Sequence, residues 1–158
     1  MNLFEDIYRI KNILNENSLS YEFLVSDNLR ESHRGLNLVC KNHDNKIIGG
    51  IEIAKLSVLV PYVLETKSDS GILDFYSNMD NLENSVYTHS LEIREEYRRQ
   101  GFGMKLFEES ERIAKLDGNT RLYAITPADN TPSIRLKEKL GWKKLHKINE
   151  NILYFKDI

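Results

Sequence analysis

Hydrophobic and polar positions follow two spacings along the chain, one of about two residues and one of about 3.6, which predict strands and helices respectively. Strands are predicted at residues 21–25, 36–41, 47–60, 86–93, 121–125, 142–145 and 152–155. Helices are predicted at residues 3–14 and 101–116, and a short helix runs from Thr131 to its end at Gly141. This order predicts a mixed α/β sheet with helices packed on it.

Local signals refine this picture at a few positions. Thr131 is predicted to cap its helix with Pro132 at the first helical position, and Gly118 is predicted to end the helix at 101–116. Gly49 and Gly50 indicate a bulge or a close approach of two backbones. Residues 61–84 have the least regular pattern, with five acidic residues against one lysine.

The chain has 158 residues, a length that predicts a single domain, 1–158, with a real hydrophobic core. Its formal net charge of -2 gives no broad basic field of the kind that binds nucleic acid. The apolar stretches are too short to span a bilayer, and the acidic N-terminus lacks the apolar core of a signal peptide. We therefore expect a cytoplasmic protein with neither a membrane nor a nucleic acid as partner. The single cysteine, Cys40, is predicted to be a buried hydrophobe.

The segment that carries chemistry is Arg98-Arg99-Gln100-Gly101-Phe102-Gly103, between a predicted strand and a predicted helix. Glycines let a backbone approach a ligand closely, and the first amides of a helix attract phosphate oxygens. A dinucleotide fingerprint would need a small residue where Leu106 stands, and the Gly-Lys-Ser/Thr of a P-loop is absent. The segment predicts a phosphate-binding turn, although an isolated Gly-x-Gly is more often only a tight turn.

Two motifs in order resemble a known family. Residues 91–103, ending in Arg98-x-x-Gly101-x-Gly103, resemble motif A of the GCN5-related N-acetyltransferases, the GNAT superfamily. Residues 130–142, with Asn130 at the start and Gly141-Trp142 at the end, are similar to the family's Asn-x-x-small…Leu-x-x-x-Leu-Gly-Phe segment. The resemblance covers roughly residues 86–145.

The resemblance implies a GNAT-like mixed, mostly antiparallel sheet flanked by helices, with a splayed parallel pair formed by strands 86–93 and 121–125. Acetyl-CoA, the acyl-donor substrate, would lie in the V-shaped opening between these strands, and no metal is implied. The implied cofactor-binding residues are Leu91, Ile93, Arg98, Arg99, Gln100, Gly101, Phe102, Gly103, Met104, Asn130 and Ser133. The implied activity is transfer of an acetyl group to a primary amine by direct attack.

The candidate catalytic residues are His89, Glu92 and Lys137. Strand alternation is expected to place Tyr87, His89, Leu91 and Ile93 on one face and Thr88, Ser90 and Glu92 on the other. His89 is the favoured base because its ordinary pKa suits proton transfer near neutral pH; Glu92, Glu83 or ordered water are the alternatives. The oxyanion donor is expected to be the backbone N–H of Ile93 or a neighbour.

Lys137 stands where many family members carry a tyrosine that acts as the general acid. A lysine there would stabilise the departing thiolate or point into solvent. Tyr123 and Tyr154 are alternative acids, although nothing in the sequence places them at the site. The substitution also leaves open a non-catalytic acyl-CoA-binding or regulatory module.

The acceptor is expected to be a small cationic amine or a protein amine, drawn by the acidic segment 61–84, in particular by Asp69, Asp74 and Asp80. The N-terminal third fits the family less well, since its members show two helices between the first strand and the hairpin that follows. A third hypothesis is nucleotide or nucleic-acid binding by the arginines at 94, 98 and 99. The protein is expected to be a monomer or a homodimer.

Overall fold

The computed structural model describes residues 21–24, 36–42, 44, 46–66 and 70–158. The strands are β1 (Tyr21–Leu24), β2 (Leu36–Lys41), β3 (Ile47–Lys55), β4 (Ser85–Ile93), β5 (Arg121–Pro127), β6 (Lys143–Ile148) and β7 (Asn151–Asp157). The helices are α1 (Leu56–Thr66), α2 (Ser70–Tyr76), α3 (Phe102–Leu116) and α4 (Thr131–Lys139), and short 3₁₀ turns lie at Leu82–Asn84 and Glu95–Tyr97. The predicted helix at residues 3–14 and the connection at 26–35 lie outside the described residues.

The strands form one mixed sheet in the order β1-β2-β3-β4-β5-β7-β6. All neighbours are antiparallel except β4 and β5, which are parallel and pair only from Ser85 with Arg121 to Tyr87 with Tyr123. Beyond Tyr123, β5 continues beside β7 as far as Pro127. The two parallel strands therefore separate from Thr88 onwards, and this V-shaped opening confirms the predicted splayed pair.

The two faces of the sheet carry separate buried clusters. On one face, Leu106, Phe107 and Ile113 of α3 pack with Trp142 against the sheet. On the other face, side chains of α1 and α2 pack around Tyr87. Neighbouring residues of one strand, such as Val86 and Tyr87, belong to opposite clusters, as strand alternation requires.

Helix α1 corrects the prediction that one strand runs from residue 47 to residue 60. Strand β3 ends at Lys55, and the apolar run that follows is helical. Its buried residues recur at helical spacing, at Leu56, Leu59, Val60 and Val63. A short run rich in leucine and valine matches both a buried strand and a buried helix face, so the local pattern did not separate them. With α2, this helix also makes residues 61–84 more regular than predicted. No helix in the described ranges is long and apolar enough to cross a membrane.

The other boundaries lie within a few residues of their predicted positions. Cys40 lies in β2 and is 1% exposed, as predicted, and burial raises the pKa of its thiol. The glycine signal in β3 also holds, because a Cβ on Gly49 would lie 2.6 Å from the carbonyl oxygen of Glu92. Strands β3 and β4 approach so closely there that only glycine fits.

Candidate functional site

A cleft of about 1440 Å³ opens where β4 and β5 separate. Its walls come from β3, β4, the turn before α3, and the first turns of α3 and α4. The predicted site residues that line it are Leu91, Glu92, Ile93, Arg98, Arg99, Gly101, Phe102, Gly103, Met104, Asn130 and Ser133. The predicted residues that do not line it are His89, Gln100 and Lys137. Within the described part of the chain, no group of three or more His, Cys, Asp or Glu side chains is placed to hold a metal ion.

The turn before α3 has the backbone geometry of an anion cradle. Arg99 and Gly101 both adopt positive φ, at 62° and 86°. No side chain caps α3, so the amides of Phe102, Gly103 and Met104 have no acceptor among the described residues. Such amides at a helix N-terminus, which carries the positive end of the helix dipole, bind phosphate oxygens.

Glycine is favoured at the two positions of this turn, 101 and 103, for different structural reasons. Nothing lies within 4 Å of a Cβ built on Gly101, so glycine is favoured there by its φ. A Cβ on Gly103 would lie 3.3 Å from Leu136 and 3.6 Å from Leu91, so this position needs a small residue. Gly103 is the point where α3, α4 and β4 come together under the cleft.

Arg98 and Gln100 hold the turn in place. The Arg98 Nε donates to the carbonyl oxygen of Ile93 at 3.0 Å, which keeps the guanidinium at the cleft. The Gln100 amide donates to the carbonyl oxygen of Glu96 at 3.1 Å, on the side of the turn away from the cleft. Gln100 does not line the cleft, and its side chain supports the turn.

A β-bulge at Ser90 corrects the predicted faces of β4. Gly50 pairs with Glu92 and Glu52 pairs with His89, so β4 has one more residue than β3 in this interval. Ser90 adopts a φ of 53°, a left-handed conformation that accommodates the extra residue. Beyond the bulge the alternation is reversed. The expectation that His89 shares a face with Leu91 and Ile93 is wrong, because these two residues pack on the α3 face and His89 stays on the side of Tyr87.

The backbone of β4 beyond the bulge faces the opening. The Arg94 amide donates to the carbonyl oxygen of Ile48 in β3, so by alternation the amides of Leu91 and Ile93 point away from β3. Strand β5 has already separated at this level, and these groups therefore border the cleft. The carbonyl oxygen of Ile93 already accepts a hydrogen bond from Arg98.

His89 does not line the cleft but contacts Glu52, an acidic residue of the cleft wall that the sequence pattern did not single out. Its Nε2 lies 2.9 Å from the carboxylate of Glu52, its Nδ1 lies 3.2 Å from the Ser90 hydroxyl, and its ring stacks on Tyr87. Glu52, Ser90 and Glu92 line the cleft, and His89 lies behind Glu52. Only the register of β3 against β4 reveals this pair, and no spacing within one segment signals it. The alternative base Glu83 lies in the 3₁₀ turn before β4 and is not part of the cleft wall.

Lys137 is buried, with 4% exposure, so the alternative that it points into solvent is wrong. Its Nζ donates to the Ser133 hydroxyl at 2.8 Å and lies 5.1 Å from the centre of the Phe107 ring and 5.9 Å from that of Tyr154. Burial lowers the pKa of the Lys137 ammonium to about 8. Lys137 does not line the cleft itself but bonds to Ser133, which does.

Asn130, rather than Thr131, caps α4. Its Oδ1 accepts from the Ser133 amide at 3.2 Å. This bond uses the oxygen of the Asn130 side chain and leaves its amide hydrogens as the groups available to a ligand in the cleft. Asparagine and threonine are both good capping residues, so the pattern did not distinguish the two positions.

The acidic segment 61–84 does not form this cleft. None of its described residues is in the cleft wall, and Asp69 lies outside the described residues. The Asp80 carboxylate instead accepts from the Tyr123 hydroxyl at 2.7 Å and pairs with Arg121. Tyr123 is thereby held away from the cleft. The acidic groups at the cleft are Glu52 and Glu92.

The model of the Acetyltransferase (GNAT) family matches residues 3–142 of the sequence. No curated protein matches the chain.

Solved structures share the fold at low sequence identity. PH1933 from Pyrococcus horikoshii OT3 superposes with a TM-score of 0.56 at 19% identity, covering 77% of this chain, and this chain spans 64% of its length. The IAA acetyltransferase from Bacillus cereus ATCC 14579 has a TM-score of 0.62 at 15% identity, covering 89% of this chain and 100% of that one. The PaiA N-acetyltransferase from Thermoplasma acidophilum, in complex with coenzyme A, has a TM-score of 0.57 at 17% identity, covering 99% of this chain and 69% of that one.

Proposed function

This chain belongs to the acetyltransferase (GNAT) family, and we propose that it moves an acetyl group from acetyl-CoA to a primary amine by direct attack of the amine on the thioester. The observation that carries the proposal is the arrangement around the cleft. Unbonded amides at the N-terminus of α3 lie at its mouth, and the backbone edge of β4 is exposed along its wall. A ligand with a pyrophosphate and a long amide-bearing arm has the chemistry that fits both.

The pyrophosphate and the pantetheine arm of acetyl-CoA would both have partners in this arrangement. The pyrophosphate would bind the amides from residue 99 to residue 104, with the guanidinium of Arg98 beside them. The amides of the pantetheine arm would pair with the backbone carbonyl of Leu91, the backbone amide of Ile93 and the side-chain amide of Asn130. The Thermoplasma protein of the same fold was solved with coenzyme A, which supports this assignment.

The acceptor would approach from the side of Glu52 and Glu92. Two carboxylates in the cleft wall attract an ammonium group, which favours a cationic amine as acceptor. The amine must lose a proton as its nitrogen bonds to the thioester carbon. We assign the base to the pair of Glu52 and His89, in which Glu52 contacts the amine and His89, 2.9 Å behind it, shares the proton.

A thioester oxyanion forms as the amine attacks and needs a hydrogen-bond donor. Beyond the bulge at Ser90, the amides of Leu91 and Ile93 point into the cleft, where β4 has no partner strand on that side, so Leu91 N–H is the donor that we assign. Collapse of the adduct breaks the carbon–sulfur bond and releases the thiolate of CoA. A non-catalytic acyl-CoA-binding module is the second candidate, because a buried lysine stands at the tyrosine position of the family.

Thermal unfolding with ligands tests the cofactor assignment. Acetyl-CoA or CoA at about one hundred times its Kd should raise the Tm by roughly 5–10 °C, because a ligand that binds only the folded state stabilises it by mass action. A dinucleotide such as NAD, which has a pyrophosphate but no pantetheine, is the matched control and should have little effect. No stabilisation by any CoA ester, or equal stabilisation by NAD, would contradict the assignment.

A further inference from the structure

Lys137 is a buried cation without a carboxylate partner among the described residues. Its contacts are one hydroxyl and two aromatic rings, which compensate a desolvated ammonium only in part. The nearest acidic residue in sequence, Glu138, is exposed and pairs with Lys144 at 3.3 Å. A methionine at position 137 would fill similar space without the burial of a charge, so the charge calls for a reason other than packing.

The helix dipole does not supply that reason. Lys137 lies in the last turn of α4, where a cation near the final carbonyls is favourable. Its side chain runs the other way, because its Nζ bonds to Ser133 in the first turn of the helix. The ammonium is therefore directed away from the helix C-terminus and towards the cleft.

The bond to Lys137 fixes the hydroxyl of Ser133 as a donor. An ammonium has hydrogens and no lone pair, so Ser133 Oγ must accept from it and must direct its own hydrogen elsewhere. No acceptor for that hydrogen is present in the parts of the chain that the structure describes. Ser133 lines the cleft, and its backbone is held by the Asn130 cap at 3.2 Å. The Ser133 hydroxyl is therefore able to donate its hydrogen into the cleft while its oxygen accepts from the Lys137 ammonium.

We propose that Ser133 and Lys137 form a proton-donating couple for the departing thiolate of CoA, an inference that rests on the proposed transfer reaction. When the carbon–sulfur bond breaks, its electron pair goes to sulfur. The Ser133 hydroxyl proton passes to that sulfur, and a proton from the Lys137 ammonium passes to Ser133 Oγ. This leaves CoA as a thiol, Ser133 as a hydroxyl and Lys137 as a neutral amine, which regains a proton from water. Ser133 is the catalytic residue, and Lys137 is a positioning residue and proton source.

The acidity of Lys137 suits this role. Burial lowers its pKa to about 8, close to the ordinary value of about 8.5 for a thiol, so transfer between them is nearly balanced. The groups that face the ammonium are Ser133 from its own helix, Phe107 from α3 and Tyr154 from β7. Of these three groups, Tyr154 is the one with a titratable side chain near the ammonium, and burial raises the pKa of its hydroxyl. The ion pair of Glu138 and Lys144 acts on Tyr154 from beyond it.

The test compares Ser133→Ala, Lys137→Met and the double variant with wild type, and takes the exposed Lys147→Met as the control. Thiol release from acetyl-CoA over an amine gives kcat, and ligand-dependent Tm gives cofactor affinity. Each single variant should lower kcat, measured at saturating acetyl-CoA, by about 100-fold or more. Lys137→Met should leave the affinity for acetyl-CoA little changed, because Lys137 does not line the cleft. The double variant should be no slower than the worse single variant, because the two residues act as one unit.

The pH dependence supplies a readout that a packing role would not move. The ratio of wild-type kcat to Lys137→Met kcat should fall as pH rises through about 8, where the wild-type ammonium loses its proton. The ratio cancels the titration of the amine substrate, which affects both proteins equally.

Stability gives a second readout that does not depend on turnover. The folded-state pKa of Lys137 lies below its ordinary value of 10.5, so between about pH 8 and 10.5 the unfolded chain binds more protons. The free energy of unfolding of the wild type therefore rises across that pH range, and the buried charge destabilises the folded state most below pH 8. Lys137→Met should raise the Tm by a few degrees at pH 7, and the rise should shrink towards pH 10.

Unchanged kcat in Ser133→Ala and Lys137→Met would overturn the couple while leaving the proposed transfer in place. A lowered Tm in Lys137→Met, with kcat of Ser133→Ala at the wild-type value, would show that Lys137 is a packing residue only. If wild type releases no thiol with any amine, the transfer and the couple both fail.

Discussion

The side chains of Glu52 and His89 lie 2.9 Å apart, and the register of β3 against β4 brings them together. The carboxylate faces the cleft, and the imidazole lies behind it with its ring fixed against Tyr87. In the proposed reaction, a carboxylate in this position would attract the ammonium of the acceptor and take its proton. The pair would therefore connect recognition of the acceptor with its activation.

Glu52→Gln tests this connection. The amide keeps the shape of the side chain and loses the charge and the basic oxygen, so kcat/KM for a cationic amine should fall by about 100-fold. Acetyl-CoA affinity should stay the same, because Glu52 lies away from the turn that would hold the pyrophosphate. Steady-state kinetics and ligand-dependent Tm measure the two effects. Glu108→Gln, an exposed carboxylate on α3, is the control, and a defect as large in that variant would contradict the role of Glu52.

It was easier to predict which residues belong to the site than to predict where their side chains point. The resemblance to the family implied that Gly101, Gly103 and Asn130 belong to the site, and all three line the cleft because the backbone and a helix cap fix their positions. The prediction that His89 shares a face with Leu91 and Ile93 was wrong because the extra residue at Ser90 reverses the alternation, and a bulge leaves no mark in a hydrophobic pattern. Lys137 lies under rings from α3 and β7, and such burial by distant segments is invisible in a local pattern.

At the scale of the element, the two ends of α3 offer a matched comparison. Gly101 before the helix and Gly118 after it both have positive φ, at 86° and 80°, and a Cβ on either would meet nothing within 4 Å. Alanine at either position therefore brings the same backbone strain, about 1 kcal/mol, without a clash. Only Gly101 lies in the cleft wall.

Gly101→Ala and Gly118→Ala should accordingly lose similar stability and differ in ligand affinity. Urea unfolding should show a loss of about 1 kcal/mol in each. Calorimetric titration with acetyl-CoA should show affinity at least 10-fold weaker for Gly101→Ala only, because relaxation of the strained turn moves the amides that would bind phosphate. Equal affinity in the two variants would mean that this turn does not hold the pyrophosphate.

Elements with a clear period were predicted well, and elements without one were not. In helix α3 the apolar residues recur at helical spacing among charged ones over fifteen positions, and its predicted bounds differ by one residue from the observed ones. Helix α1 is apolar on most of its surface and was taken for the end of a strand. The family likeness added nothing there, because α1 and α2 follow β3 and the family's two helices were expected earlier in the chain.

At the scale of the whole molecule, the splayed pair is the feature on which the proposed function depends. Three residue pairs join β4 to β5, after which β5 stays with β7 and the sheet opens. Local patterns cannot predict which strands pair across a chain of this length. The parallel pair was predicted only through the resemblance of the two motifs to the GNAT family, which implied that strands 86–93 and 121–125 lie side by side.

Amine-dependent release of CoA thiol from acetyl-CoA is the most direct test of the account. The assay would use polyamines, an aminoglycoside and a lysine-containing peptide as acceptors, with a neutral alcohol as the control. We predict release that saturates with acetyl-CoA and with at least one cationic amine, with one acetylated product formed per thiol. Binding of acetyl-CoA without amine-dependent release would contradict the account and would identify the chain as an acyl-CoA-binding module.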